Sequence, residues 1–294
     1  ENDKGEFIVE DSCFADLPPQ VPLPKVEEDQ FVLCVSGLGL GTQHGKSSVL
    51  TQMLVDFVTG HMGGEEEFGF VSKIVAVIVA GNSVETNFEE ARKFDGRSQS
   101  LSAEEQAAIT TPIKELDLAL TQLCSSVPTF VLPGEKDPSA HFLPQQPLHG
   151  CLLPSASSFS TLHTTTNPCD IDVGGVSFVG SAGQNVDDLD KFTRSESRLA
   201  TLKNTLKWRL LAPTAPDTLG CYPFKDDDPF LIRASPHVYF AGNQPEFASE
   251  VVQGSDGQRV LCLTLPKFSA TGTAVLINLR TLAAETIEFG ADLE

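Results

Sequence analysis

Five apolar runs end in glycine-bearing loops, and such loops are where an α/β protein would carry its chemistry. They are 31–41 (FVLCVSGLGLG), 73–82 (KIVAVIVAGN), 129–138 (TFVLPGEKDP), 176–185 (VSFVGSAGQN) and 237–247 (HVYFAGNQPEF). Carboxylates and imidazoles at such ends would hold metal ions or move protons. Here the loops are present and the reactive side chains are mostly missing.

Other reactive patterns fall short on spacing. A phosphate-binding P-loop needs four residues between its first glycine and Gly-Lys-Ser. Before Gly45-Lys46-Ser47 the required place is Leu40, with Gly39 and Gly41 on either side. A dinucleotide fingerprint would need glycine at Thr42 or at His44. The bland alternative to a nucleotide-binding module at 39–46 is a turn that takes the chain from sheet to helix. The six histidines (His44, His61, His141, His149, His163, His237) form no H-x-H or H-E-x-x-H, and no serine sits in G-x-S-x-G. His237, after Pro236, reads as a packing or hydrogen-bonding residue. The carboxylates of 187–190 (DDLD) and 226–228 (DDD) could gather a divalent ion, but clustered loop charges are usually solvated surface.

The elements around these loops alternate strand and helix. In 47–60, Val49, Leu50, Met53, Leu54, Phe57 and Val58 lie on one helical face, with Gly60 as a C-terminal cap. A second helix is expected to begin at Thr111 and Pro112 and to bury Ile113, Leu116, Leu120 and Leu123. A third carries Leu199, Leu202, Leu206 and Leu210. Repeated strand-then-helix units imply an α/β sheet with helices on its faces. After residue 258, RVLCLTLP, TAVLINL and TIEF follow with short turns, so an antiparallel portion without helix is expected there. Residues 1–17 hold a strand-like GEFIVED; residues 18–30 contain prolines and acids and read as an extended linker; 31–294 is the body.

Composition narrows the function. With 20 basic and 40 acidic residues the chain carries a net charge of −20, which disfavours direct nucleic-acid binding and favours basic partner surfaces. It has no run of 18 apolar residues and no charged-then-apolar start, so neither a membrane span nor a secretory signal is expected. Seven scattered cysteines without C-x-x-C argue against a disulfide framework or a zinc ribbon, and Cys34 and Cys262 read as core residues.

Longer segments carry a resemblance. The stretches VSGLGLG, LPQQPLH (143–149), SAGQNVDD, LAPTAPDTLGCYPF (211–224), DPF (228–230), PHVYFAGN and FSATGTAVLINLRTL (268–282) closely resemble the small, or B, regulatory subunits of DNA polymerase delta. The resemblance covers essentially the whole chain. It makes GEFIVED similar to the closing strand of an oligonucleotide/oligosaccharide-binding (OB) fold, most of which is absent, as in an N-terminally truncated product. It also implies a calcineurin-like metallophosphoesterase fold: a mixed parallel and antiparallel β-sandwich flanked by helices.

Such phosphoesterases bridge two metals with carboxylates and imidazoles. Where they carry Asp-x-His, this chain has Ser36 and Leu38; where they carry Gly-Asp, it has Asn82. Their Gly-Asn-His-Asp becomes Glu135, Lys136 and Asp137 after Gly134; their His-Gly becomes Ala182 before Gly183; their Gly-His-x-His becomes Asn243 and Pro245. The resemblance therefore implies no catalytic residue, no bound metal and no cofactor. It implies instead a nuclear accessory subunit in DNA replication and repair. That subunit would join the catalytic subunit's cysteine-rich C-terminal module to a third accessory subunit and meet DNA only through the complex. Tyr222 and Asp226, Asp227 and Asp228 are candidate partner contacts. A divergent metal-dependent phosphoesterase acting on nucleic acid or nucleotides is the alternative.

Overall fold

The computed structural model describes residues 5, 8–11, 13, 15–41, 45–64, 69–85 and 103–290. Two sheets face each other. The first runs in the order β11-β10-β1-β2-β3-β4, with β1 (Phe31–Val35), β2 (Ile74–Ala80), β3 (Thr129–Leu132) and β4 (Leu162–Thr164) parallel. On its other side β10 (Thr273–Asn278) pairs antiparallel with both β1 and β11 (Ala284–Glu288). The second runs β5-β6-β7-β9-β8, where β6 (Val176–Ser181), β7 (Val238–Gln244) and β9 (Arg259–Pro266) are parallel. Its edges, β5 (Cys169–Val173) and β8 (Ala248–Gln253), are antiparallel.

The apolar runs are nearly continuous because these strands are covered on both faces. In β1, Val32 and Cys34 point into the layer between the sheets, against Phe178, Phe240 and Leu263. Leu33 and Val35 point outward, under α1 (Lys46–Val58) and α2 (Ala103–Cys124). The second sheet does the same with Tyr239 and Cys262, which meet Leu199, Leu202 and Leu206 of α4 (Arg198–Trp208). Each such side chain contributes about 1.5–3 kcal/mol by leaving water. Burial also pushes the Cys262 thiol up to about 12, as suits a core residue. The mixed two-sheet sandwich flanked by helices agrees with the expectation.

Several local expectations differ. In α1 the buried stripe is Leu50, Thr51, Leu54, Val55 and Val58, and Val49 is exposed. Helix α2 starts at Ala103, so Thr111 and Pro112 lie inside it. Upstream AEEQAAI favours helix, and the Pro112 ring packs on Gly41, where a Cβ would come within 2.5 Å of it. After residue 258 the strands do not form one antiparallel ribbon. β9 joins the second sheet parallel to β7, and β10 joins the first. A short helix, α5 (Phe268–Thr271), carries the chain between sheets and closes on Gly272 at φ +69°.

Of the strand-like start, residues 6 and 7 lie outside the described set and residues 8–11 form no strand. The proline-rich segment is irregular apart from an isolated bridge between Gln20 and Ser235, and the chain leading through it is fastened to the body. Arg209 donates to the carbonyls of Ala15, Asp16 and Leu17 at 2.7–3.3 Å. Ser235 and Gln20 tie the next residues to the approach to β7 and to the start of β9. Buried His237 accepts from the Ser177 N–H through Nδ1 (3.0 Å) and sets Nε2 against the Val21 carbonyl (2.9 Å), a hydrogen-bonding role as expected. No helix among the described residues is long and apolar enough to cross a membrane.

Candidate functional site: the strand-end cleft

The C-terminal ends of β1, β2 and β3 in one sheet and β6 and β7 in the other bring together all five loops singled out in the sequence. Two glycines allow the close approach. Gly81 sits at φ +75°, and a Cβ there would lie 2.4 Å from the Ala182 methyl on the opposite sheet. Gly183, at φ +103°, passes so near the Gly242 carbonyl that a Cβ would lie 2.0 Å from its oxygen. No side chain larger than hydrogen fits either place.

Most side-chain polar atoms in the cleft are spent on the protein itself, although Asn243 Oδ1 and Gln244 Oε1 are buried without a hydrogen-bond partner. Ser36, fully buried, donates to the Ala80 carbonyl at 2.6 Å and accepts from the Asn243 backbone N–H at 2.8 Å. The Asn243 amide nitrogen donates to the carbonyls of Ala80 (3.3 Å) and Ala182 (2.9 Å). The Asn82 side-chain oxygen accepts from the Lys136 backbone N–H at 3.0 Å. Buried Asp137 accepts from Val84 N–H (3.0 Å) with one oxygen and from Gly134 N–H (2.8 Å) with the other. Burial pushes its carboxyl above the usual range, opposed by those N–H groups. Leu38 and Ala182 are buried and apolar, while Glu135 and Pro245 are exposed at the rim.

Glu85, Lys267, Gln145, Asn167 and Gln184, which the sequence does not single out as site residues, complete the cleft. Lys136 and Lys267 both bind Glu85, one on each carboxylate oxygen, the latter at 3.2 Å. Partial burial opposes ionisation of Glu85, but the two ammonium groups outweigh it and hold its carboxyl below the ordinary value. Beneath them lies an amide network. Asn167 donates to Gln145 (2.8 Å) and Gln184 (3.0 Å) and accepts from Ala182 N–H (3.0 Å), while Gln145 donates to the carbonyls of Gly134 and Ala140. Gln145 lies in the LPQQPLH stretch that carried the resemblance; nothing in its spacing announced the contact.

Of the remaining candidates, Asp187 borders the cleft, where it accepts from the Gln244 side-chain amide at 3.3 Å, and the others lie outside it. Asp187 and Asp190, in α3 (Gln184–Asp190), pair with Arg198, and Asp188 pairs with Lys191 and Thr218. Asp227 pairs with Arg233, Asp228 accepts from Phe230 N–H, and Tyr222 is exposed on the same loop. Of the possible nucleotide loop, residues 42–44 lie outside the described set; Gly45 precedes α1 in a left-handed conformation. Among the described residues, no group of three or more His, Cys, Asp or Glu side chains is placed to hold a metal ion.

The family model for the B subunits of DNA polymerases alpha and epsilon matches residues 32–249. A DNA polymerase delta small subunit from Arabidopsis thaliana is 46% identical over 294 residues, covering 100% of this chain and 66% of that protein. One from Oryza sativa subsp. japonica is 44% identical, covering 100% and 67%. The chain thus spans about two thirds of the length of these relatives. A solved structure described as a novel archaeal phosphodiesterase aligns with 88% of this chain and 100% of its own, at 12% identity and TM-score 0.44.

Proposed function

The chain belongs to the family of DNA polymerase alpha/epsilon B subunits, and from that membership we propose that it is a non-catalytic accessory subunit of DNA polymerase delta. In this reading it joins the catalytic subunit, through that subunit's cysteine-rich C-terminal module, to a third accessory subunit, and works in the nucleus in replication and repair. Its contact with DNA runs through the complex, since a net charge of −20 repels phosphates.

One observation carries the non-catalytic part. In the cleft where a phosphoesterase would hold two metals, most candidate donor atoms are taken up by the protein's own hydrogen bonds. Both Asp137 oxygens are engaged, Asn82 and Ser36 are engaged, and Lys136 and Lys267 bring cationic charge where a dication would sit. A pair of divalent ions needs four to six donors each, mostly anionic or imidazole. The residues present do not fit such a pair, and we assign no step to one. The glycines are retained because the sheets must approach this closely, whether or not metal binds. We further propose that residues 1–17 close an OB fold, that 18–30 are its strap to the body, and that 31–294 are the inactive phosphodiesterase-like domain.

Co-expression with a polymerase catalytic subunit's C-terminal region tests the assembly reading. A stable complex on gel filtration is expected. Failure to form one, even with the relatives' additional sequence restored, would remove the reading's main support.

A further inference from the structure

The segment between α4 and β7 has two halves with opposite surroundings. Leu211 and Ala212 are buried against the second sheet, whereas 222–229 is exposed throughout. Its backbone is nonetheless fixed. Leu143 donates to the Gly220 carbonyl at 3.0 Å and Tyr222 N–H donates to the Leu143 carbonyl at 2.8 Å. The Phe142 ring lies over Gly220, where a Cβ would come within 2.7 Å of it. This pairing holds Phe142, Tyr222 and Phe224 in water at 56%, 61% and 51% exposure, with the Tyr222 and Phe224 rings edge to face at 5.1 Å. Beside them is a groove of about 490 Å³ whose lining includes Tyr222, Phe224, Lys225 and the carboxylates Asp226, Asp227 and Asp228, so that acidic groups outnumber the one lysine. Clustered exposed aromatics on a rigid backbone mark a contact surface rather than a folding requirement.

Charge selects the occupant. Asp227 is already paired with Arg233, but among the described residues Asp226 makes no ion pair, and Asp228 uses one oxygen on Phe230 N–H. A second copy of this chain, a nucleic acid and an anionic membrane all bring negative charge to a surface of the same sign. We propose that this groove docks an extended arginine-rich segment of a protein partner. Guanidinium groups would lie over the Tyr222 and Phe224 rings and pair with Asp226 and Asp228, a combination that suits arginine better than lysine. The inference rests on the reading of the chain as an assembly subunit.

The test uses the full 294-residue chain and a fluorescent peptide of alternating arginine and alanine, with the lysine version as comparison. Tyr222→Ser with Phe224→Ser leaves the net charge unchanged, so general attraction to an acidic protein is controlled. About tenfold weaker binding by this variant, with an unchanged melting temperature and with arginine preferred over lysine, is expected. Asp226→Asn with Asp228→Asn should weaken binding similarly. Equal binding by all three proteins would overturn the proposal, as would equal affinity for both peptides. The same variants are then co-expressed with the catalytic subunit's C-terminal region and the third subunit. If wild type assembles and the ring variant assembles equally well with both, the groove proposal falls and the assembly reading stands. If wild type itself assembles with neither, the assembly reading falls.

Discussion

The backbone N–H of Asn243 donates to the Ser36 hydroxyl at 2.8 Å, joining the last strand-end loop of one sheet to the first strand end of the other. Ser36 passes its own hydrogen to the Ala80 carbonyl, so three strand ends share one buried hydroxyl. Ser36→Ala therefore leaves the Asn243 N–H without its partner. A loss of about 1–3 kcal/mol in chemical denaturation is expected; a neutral result would show that the joint is not structural.

Asp137 accepts two backbone N–H groups while nine-tenths or more buried. Asp137→Ala should cost about 3 kcal/mol, because both donors lose their acceptor. Asp137→Asn should cost less, since one amide oxygen still accepts. Urea unfolding of the two variants measures the order, and an equal cost would contradict the two-acceptor account.

Glu85 is held below its ordinary value of 4.5 by Lys136 and Lys267 despite partial burial. A carboxyl with a depressed folded value stabilises the fold above its unfolded value and loses that contribution as pH falls through the folded value. Glu85→Gln should thus melt below wild type at neutral pH, and the gap should close as the pH drops below about 4. Melting curves across that range check it; a gap that widens in acid would reverse the sign.

Arg209 grips the carbonyls of residues 15–17. Arg209→Ala should speed amide exchange in residues 15–21 while lowering stability by only about 1–2 kcal/mol. Exchange by mass spectrometry reads both, and unchanged protection of the strap would deny the anchor its role.

Much of this was legible in the residues. The five strand-end loops all arrive at one cleft, because parallel strands buried on both faces leave continuous apolar runs that stop where the chain turns. What closes the cleft was harder to read. Lys136 is visible in its loop, but Glu85 lies 51 positions from Lys136 and 182 from the second cation Lys267, and only the fold makes them neighbours. The Gln145, Asn167 and Gln184 network is hidden for the same reason: a buried amide looks like a surface one until its partners are placed. Pro112 reads in the sequence as a first-turn residue, whereas α2 starts at Ala103 and the proline's packing on Gly41 is a tertiary contact that spacing does not reveal.

We propose that this cleft is a frame whose donors serve the fold, with function carried by the surface. The most direct measurement is hydrolysis of bis-p-nitrophenyl phosphate by the purified chain over a manganese titration. The account predicts no turnover above buffer at any manganese concentration. Manganese-dependent turnover that is lost in Asp137→Ala or Asn82→Ala would contradict it.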